Sequence, residues 1–425
     1  MGLCLEDPEP TGKQYPVSVC LAPDAWHAAA MSSRSRGPNT RAVHSPMPDF
    51  RVPGDPLSAP IVAASSFAFP SVEAMEGAIT EPGSGYVYSR VVNPTVDAME
   101  RAVASLEGAE AAVGLGSGMA AIHAGLLGTL NSGDHVLAPA SLYGGAYALL
   151  TRLFPRLGIE TTFVEDATPA GFAAAMKPET RVIYTESIGN PLMRVPDLAA
   201  LAKLAHDHGA KLVVDSTLAS PSLCRPLEHG ADVVVHSTSK YLGGHGDVIA
   251  GVVAGSAAEM NSVRGVSINA GGTLSPFTAF LVSRGIRTLP LRMRQHTSTA
   301  LELARFLEAH PKVGQCWYPG LESHPDYAHA RATLDGGFGA VIGFVVDGGD
   351  AAGSRLADAL ELFHIAGSLG DTHSLVVQPA LSSHRTLDPA ARAKAGIAPG
   401  FVRLSIGLED AVDLREDLEA ALSKI

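Results

Sequence analysis

The sequence predicts an α/β protein with a large, mostly parallel sheet domain and a smaller C-terminal α/β domain. In the middle of the chain, apolar runs rich in β-branched residues alternate with helical stretches. Strands that are apolar throughout are typical of parallel sheets covered by helices on both faces. Hydrophobic residues make up 46% and charged residues 17% of the 425 residues, which excludes a disordered or fibrous chain.

The predicted elements follow one another in a regular order. An amphipathic helix, VDAMERAVASLEGAE, follows Thr95 and is expected to end at Gly108. The short strand AAVGL then meets a Gly-Ser-Gly turn and a second helix, MAAIHAGLLGTL. Further strands are predicted at HVLAPA, TTFVE, RVIYTE, KLVVDS and DVVVHS, with the helix DLAALAKLAHDHG among them. Helix-rich sequence follows from about Pro290, and AVIGFVVDG and FVRLSIG indicate a second αβ segment.

Four regions are expected along the chain. Residues 1–45 lack periodicity and are predicted to be a flexible N-terminal extension. Residues 46–94 are rich in Pro, Gly and Ser and are predicted to be an extended arm. Residues 95–289 form the main domain, which holds the strand ends described below, and residues 290–425 form the C-terminal domain.

Charge and cysteine content exclude several classes of function. The formal net charge of -12 argues against a nucleic-acid binder, because phosphate backbones are bound by basic patches. The four cysteines, without a Cys-x-x-Cys pair, favour a reducing setting over a disulfide scaffold. No apolar run is long enough for a membrane helix, and the first residues do not resemble a secretory signal. We therefore expect a cytoplasmic protein without a metal site.

The most informative stretch is DVVVHSTSKYLGGHGD, in which an apolar strand runs directly into Ser237, Ser239 and Lys240. A lysine at the end of a buried strand is costly unless it has a partner or a chemical task. A deprotonated lysine amine reacts with aldehydes, and burial favours that form. Taken alone, Lys240 is more simply explained as an exposed loop lysine.

Two further features favour a functional role for Lys240 over an exposed loop lysine. Asp215 ends another apolar strand, and functional groups of open α/β sheets gather at these carboxyl ends. A carboxylate there can pair with a pyridinium nitrogen, although a helix cap is an equally good explanation of Asp215 alone. The turn Gly116-Ser117-Gly118-Met119 precedes a helix, where free N–H groups favour an anion such as phosphate.

These residues resemble the Cys/Met-metabolism family of pyridoxal-phosphate (PLP) enzymes, which includes methionine γ-lyase, cystathionine lyases and γ-synthase, and O-acetylhomoserine sulfhydrylase. The likeness runs from about Leu57 to the C-terminus. Its blocks occur in the family's order: YSRVVNPT, GSGMAAI, LYGGAYALL, ESIGNP, VVDST, HSTSKYLGGHGD, SLGDTHSL and FVRLSIGLED. The resemblance implies the aspartate-aminotransferase-like fold (fold type I), in which residues 95–289 bind PLP.

The resemblance also implies how the cofactor is held. Lys240 would carry PLP as a Schiff base, and Asp215 would pair with the ring nitrogen. The residues implied to bind the phosphate within the chain are Gly118, Met119, Ser237 and Ser239. Tyr88 and Arg90, in the arm, would reach the phosphate of a neighbouring subunit, so the active unit would be a homodimer, within a homotetramer.

The remaining implied roles concern the ring and the substrate. Tyr143 would stack on the pyridine ring and transfer protons, and Asn190 would contact the cofactor's phenolic oxygen. Arg403 and Ser368 would bind the substrate carboxylate. His373 would line the pocket for the substrate side chain, at a position where relatives often have glutamate.

Several positions depart from the family pattern. Ser216 replaces an asparagine, and Ile188 replaces a proline. Gly145 stands where methionine γ-lyases have cysteine, and Gln378 where a histidine is usual. Gly145, His373 and Gln378 lie where the substrate side chain would be recognised, so they bear on the substrate rather than on the cofactor.

The implied activity is a PLP-dependent C–S lyase that performs γ-elimination on a methionine- or homocysteine-like amino acid. The products would be a 2-oxo acid, ammonia and a thiol. A γ-replacement synthase is the alternative, because the same residues serve both outcomes. A nucleotide-dependent oxidoreductase would rest on GLGSG alone and leaves Lys240 and Asp215 unexplained. A catalytically silent binding protein with this fold would not need the lysine, the aspartate and the arginine together.

Overall fold

The computed structural model describes residues 37–47, 56–80, 85–382, 392 and 396–425. Residues 1–36 of the predicted N-terminal extension lie outside the described residues. Two sheets organise the described part of the chain, one of seven strands and one of five. Each is covered by helices, as the apolar strands require.

The large sheet has the strand order β1-β7-β6-β5-β4-β2-β3. Its strands are β1 (Ala111–Leu115), β2 (His135–Pro139), β3 (Glu160–Val164), β4 (Thr180–Glu186), β5 (Lys211–Asp215), β6 (Val233–His236) and β7 (Gly251–Gly255). Strands β2 to β6 pair in parallel, which confirms the predicted parallel sheet over most of its width. The predicted strands β1 to β6 are all present.

Strand β7 is the exception, because it runs antiparallel to both of its neighbours, β6 and β1. No helix lies between β6 and β7, so the chain turns back instead of crossing over. This strand is not among the predicted ones, since GVVAG is short and follows a glycine-rich loop. The loop between β6 and β7 contains Lys240.

The helices of the first part of the chain are α1 (Pro38–Val43), α2 (Val72–Thr80), α3 (Pro94–Glu107), α4 (Gly118–Leu127), α5 (Gly144–Ala148), α6 (Pro169–Ala175), α7 (Leu198–Asp207), α8 (Ser220–Leu223), α9 (Ala257–Ala270) and α10 (Pro276–Ile286). The three helices predicted around Thr95, after Gly118 and before Lys211 are confirmed. Helix α3 shows why the prediction succeeded. The Asn93 side chain accepts two N–H groups at its start, and Gly108 ends it with φ 72°.

The second sheet has the order β10-β11-β12-β9-β8. Its strands are β8 (Val313–Trp317), β9 (Val341–Val346), β10 (His364–Ile365), β11 (Leu375–Val377) and β12 (Phe401–Ser405). Its helices are α11 (Leu289–Ala309), α12 (Tyr327–Thr333), α13 (Gly349–Ala359) and α14 (Ala411–Ser423). Apolar side chains of both sheets belong to one continuous core cluster, so the second sheet is packed firmly against the first.

Within the stretch 1–45 that is predicted to be a flexible extension, residues 38–43 form helix α1. Arg41 of this helix is buried, and its guanidinium donates to the carbonyls of Ser105 and Leu106. These carbonyls lie in the last turn of α3, where carbonyl oxygens lack helical partners. The sequence around Arg41 has no periodicity, so it does not predict this contact with α3.

His296 of α11 joins that helix to the end of β12. It is fully buried, and its Nδ1–H donates to the carbonyls of Ile406 and Gly407 at 2.8 and 2.9 Å. Burial lowers the pKa of His296 from 6.5 to about 4. The native state therefore holds the imidazole neutral in a pH range where an unfolded chain protonates it.

We expect this histidine to contribute to acid denaturation. Because the pKa of His296 is lower in the folded state, the neutral imidazole costs no stability above pH 6.5. As the pH falls towards 4, the unfolded chain is protonated first and the free energy of unfolding decreases. The two pKa values correspond to a loss of about 3 kcal/mol in the free energy of unfolding. In His296→Asn, whose amide can still donate to a carbonyl, urea unfolding should show a weaker dependence on pH over this range. Equal pH dependence in both proteins would contradict the assignment.

Candidate active site

The carboxyl ends of β2, β4, β5 and β6 lie at the same edge of the large sheet. Four polar side chains occur at or just after these ends: Tyr143, Glu186, Asp215 and Lys240. Helix α4, which follows β1, begins at this edge as well. Open α/β sheets place their ligands in this position, beyond the carboxyl ends of the strands.

Lys240 is held in a turn that folds back on β6. The N–H of Gly243 donates to the carbonyl of Thr238, and that of Gly244 donates to the carbonyl of Lys240. The Lys240 side chain is half-buried, and its Nζ donates to Ser368 Oγ at 2.8 Å. Burial, followed by the positive charge of Arg403, lowers the pKa of Lys240. Both effects favour the neutral amine, which is the nucleophilic form.

The start of α4 approaches the Lys240 loop closely at Gly118. A Cβ built on Gly118 would lie 2.6 Å from both Cβ and Oγ of Ser237, so no larger residue fits. Ser117 caps the helix by accepting the N–H of Ala120. The N–H groups of Gly118 and Met119 have no partner in the described part of the chain. The Ser237 hydroxyl likewise has none among the described residues, so these groups form an open cradle for an anion.

Ser239 does not contribute a free hydroxyl to this cradle. Its Oγ donates to the carbonyl of Ala250 at 3.2 Å and accepts the N–H of Ala250 at 3.0 Å. The single hydroxyl proton is thereby used. This differs from the role that the resemblance implies for Ser239, and it follows from the return of the chain into β7.

Asp215 and Glu186 form a pair of buried carboxyl groups. They end adjacent parallel strands and stand opposite each other in the register of β4 and β5. Asp215 accepts the N–H of Thr217 at 2.9 Å, and burial raises its pKa. Burial, and next the charge of Asp215, raise the pKa of Glu186 to about 8. A cation placed against the pair would relieve this repulsion.

Glu186 was not among the residues singled out from the sequence. Its signal is the same as that of Asp215, since both are acidic residues at the end of an apolar strand. It lies in the block ESIGNP, where Asn190 drew attention instead.

Tyr143 stands beside this carboxyl pair. Its backbone N–H donates to Glu186 Oε1 at 2.8 Å, while the residue is 41% exposed. Burial raises the pKa of the Tyr143 hydroxyl, with further contributions from Asp215 and Glu186. A Cβ at Gly145 would overlap the Tyr143 ring and the Met119 sulfur. The glycine at this position therefore leaves room for the tyrosine ring.

Arg403 is a buried cation in the middle of β12. Its guanidinium donates to Asn190 Oδ1 at 3.0 Å and to the carbonyl of Ser368 at 3.1 Å. Burial lowers its pKa to about 10, and none of the described residues forms an ion pair with it. Its Nε has no acceptor in the described part of the chain. A buried guanidinium in this state matches a carboxylate ligand.

The structure brings together Lys240, Asp215, Gly118, Met119, Ser237, Tyr143, Asn190, Arg403 and Ser368 at one edge of the sheet. Tyr88 and Arg90 are exposed instead, and the Arg90 guanidinium donates to the carbonyl of Ile268 at the end of α9. The His373 side chain is 64% exposed, and its Nδ1 lies 3.4 Å from the Asp371 carboxylate. No hydrogen bond joins these three residues to the others among the described residues.

Comparison with known proteins identifies the family. A model of the family described as "Cys/Met metabolism PLP-dependent enzyme" matches residues 39–423. The chain belongs to this family. It is therefore a PLP-dependent enzyme, and its α/β architecture with a seven-stranded sheet is that of fold type I.

Individual members of the family are similar over nearly the whole chain. An L-methionine gamma-lyase of Pseudomonas putida is 45% identical, over 92% of this chain and 98% of that protein. An O-succinylhomoserine sulfhydrylase of Pseudomonas aeruginosa is 40% identical, over 94% and 99% of the two chains. The crystal structure of metB from Corynebacterium glutamicum superposes with a TM-score of 0.85 at 37% identity, over 92% and 99% of the chains.

The described residues of this family member fit PLP. The cradle of Gly118, Met119 and Ser237 offers hydrogen-bond donors suited to a phosphate, and a side chain at Gly118 would fill it. Asp215 is a buried acceptor suited to a protonated ring nitrogen. Lys240 offers an amine with a lowered pKa to the aldehyde.

No helix in the described ranges is long and apolar enough to cross a membrane.

Proposed function

We propose that the enzyme is a C–S lyase that performs γ-elimination on a methionine- or homocysteine-like amino acid, with release of a 2-oxo acid, ammonia and a thiol. The observation that carries the proposal is the buried Arg403, whose Nε has no acceptor among the described residues and which connects through Ser368 to the Lys240 amine. The carboxylate of an α-amino acid would pair with Arg403 and bring its Cα towards Lys240. The methionine γ-lyases among the relatives support the reaction type.

Each residue has a proposed task in this reaction. PLP, when bound, supplies the electron sink that stabilises negative charge on the substrate carbons. Lys240 Nζ takes the proton from Cα, and its lowered pKa favours the neutral amine that can act as this base. Ser368 holds that amine in place between proton transfers. The raised pKa of Tyr143 keeps its hydroxyl protonated, so Oη can donate a proton to the leaving sulfur.

γ-Replacement is the alternative, and the sulfhydrylases among the relatives favour it. The two reactions differ in their last step, in which water reacts in the elimination and an added thiol reacts in the replacement. The test is a product assay with L-methionine, L-homocysteine, L-cystathionine and O-acyl-homoserines, each with and without added thiol. We expect a 2-oxo acid, ammonia and a thiol from methionine alone. Turnover that depends on both an O-acyl-homoserine and an added thiol would instead establish the replacement reaction.

We propose that the side-chain pocket prefers short, uncharged tails over cystathionine. The ammonium at the far end of cystathionine calls for a carboxylate, and His373 offers none. His373→Glu should therefore shift the ratio of kcat/KM values towards cystathionine, with about a tenfold change expected for one exposed charge pair at most. The same assay gives this ratio. Wild-type enzyme that uses cystathionine as efficiently as methionine would contradict the proposal.

We propose that the active unit is a homodimer, assembled further into a homotetramer in the cytoplasm. Helix α2 contains no buried residue, and two of its apolar residues are strongly exposed, Val72 at 78% and Ile79 at 62%. Tyr88 and Arg90 are exposed in the same arm. A second copy of the chain that covers the arm would bury these apolar side chains and receive the two polar ones.

Mixing two inactive variants tests this assembly. If Arg90 serves the partner's site, Arg90→Ala and Lys240→Ala subunits form hybrids with one intact site. Random exchange should then restore about a quarter of wild-type activity. The double variant mixed with Lys240→Ala is the matched control and should restore none. Confirmed subunit exchange without recovered activity would contradict a shared site.

A further inference from the structure

Glu186 occupies a central position among the site residues and has no role in the tasks proposed so far. It is buried at the end of β4, 5% exposed, beside Asp215. No ion pair with a basic side chain is found for Glu186 among the described residues. A buried carboxyl group without a cationic partner is costly, so its hydrogen bonds must explain its presence.

Both oxygens of Glu186 accept backbone N–H groups, and the two donors come from different loops. Oε1 accepts the N–H of Tyr143 at 2.8 Å, in the loop after β2. Oε2 accepts the N–H of Asn190 at 2.9 Å, in the loop after β4. One side chain therefore sets the distance between the two loops.

The hydrogen bonds continue from Asn190 into the second sheet. Asn190 Oδ1 accepts from Arg403, and Arg403 donates to the carbonyl of Ser368. The Ser368 hydroxyl accepts from Lys240. A continuous series of contacts thus leads from Tyr143 through Glu186 to the arginine and the lysine, and Glu186 is the link between the tyrosine and the rest.

We infer that Glu186 is a positioning residue that holds the Tyr143 loop and the Asn190–Arg403 pair at the correct separation. The inference rests on the proposed roles of Tyr143 and Arg403. This role requires two acceptor oxygens on a side chain as long as that of glutamate. Glutamine has only one acceptor oxygen, and its amide would direct an NH2 group at the other N–H donor. Aspartate keeps both carboxyl oxygens but is one methylene shorter, so it cannot reach both loops.

The test compares Glu186→Gln and Glu186→Asp with wild type in two assays on the PLP-loaded enzyme. The first is the dissociation constant of L-norleucine, a straight-chain amino acid without a leaving group, from the spectral change of bound PLP. It reports on the arginine clamp. The second is kcat with the best substrate, which reports on Tyr143. We expect both variants to bind norleucine about tenfold more weakly and to have a kcat about tenfold lower, because one buried N–H loses its acceptor.

Asp417→Asn is the matched control. Asp417 lies in α14, and its two oxygens also accept two backbone N–H groups, from Glu361 and Leu362, both at 2.9 Å. The control should keep norleucine affinity and kcat, whatever it does to the thermal unfolding midpoint. Wild-type values in either Glu186 variant would overturn the inference, and if Glu186→Gln does not fold, Glu186→Asp decides alone. A failure of the proposed elimination reaction is distinguishable, because norleucine binding needs no leaving group.

Discussion

Lys240→Ala should abolish turnover and remove the borohydride-stable link between PLP and the protein. Lys240 combines a strand-end position, a lowered pKa and a hydrogen bond to Ser368. Its loss removes both the attachment point of the cofactor and the proposed base at Cα. Loss of a general base alone costs about 10² to 10⁴ in rate. The measurement is activity together with the absorbance and mass of the protein after borohydride treatment.

Lys211 provides the matched control for this experiment. It begins β5 at the opposite edge of the same sheet and pairs with Glu259. Lys211→Ala should keep both the activity and the borohydride-stable link. A Lys240→Ala protein that still forms this link would remove the basis of the assignment, because PLP would then be attached elsewhere.

Arg403→Lys should raise KM strongly while leaving PLP bound. A lysine keeps the positive charge but cannot donate in a planar fork to a carboxylate and also to Asn190 and Ser368. Charge-assisted hydrogen bonds are the strong ones, so we expect kcat/KM to fall about a hundredfold, mostly through KM. The dissociation constant of L-norleucine should rise in parallel.

Arg292 is the matched control for this experiment, because it is a buried arginine with a structural role. It is also buried, and burial lowers its pKa to about 10 as well. All three of its nitrogens are paired, however, with Thr288, Tyr241 and Gly285. Arg292→Lys should therefore lower the thermal unfolding midpoint without raising KM as Arg403→Lys does. Equal KM values in wild type and Arg403→Lys would show that the substrate carboxylate binds elsewhere.

Much of the site could be predicted because it depends on local sequence. An apolar strand followed by a polar residue indicates a candidate strand end, and this rule selected Asp215 and Lys240, which became convincing only in combination. Glycine between a strand and a helix indicates an open helix start, and this identified Gly118. The family resemblance supplied Arg403, Ser368 and Asn190, which lie far from these positions in the chain.

Other features could not be predicted, because they depend on contacts between distant segments. Whether Arg403 has a partner is decided by what β12 faces, and no local pattern contains that information. The engagement of Ser239 follows from the antiparallel return into β7. The burial of Arg41 follows from the position of α1 at the end of α3.

The sequence by itself determined the α/β class, the order of most strands and helices of the large domain, and the residue types at the strand ends. These depend on the periodicity of apolar residues, on helix capping and on the short spacing between a strand and the loop that follows it. Only the tertiary structure decided which of those residues share a site and in what state of charge. A carboxyl group beside another one, as Glu186 is beside Asp215, titrates according to burial and neighbours, and neighbours are brought together by the fold.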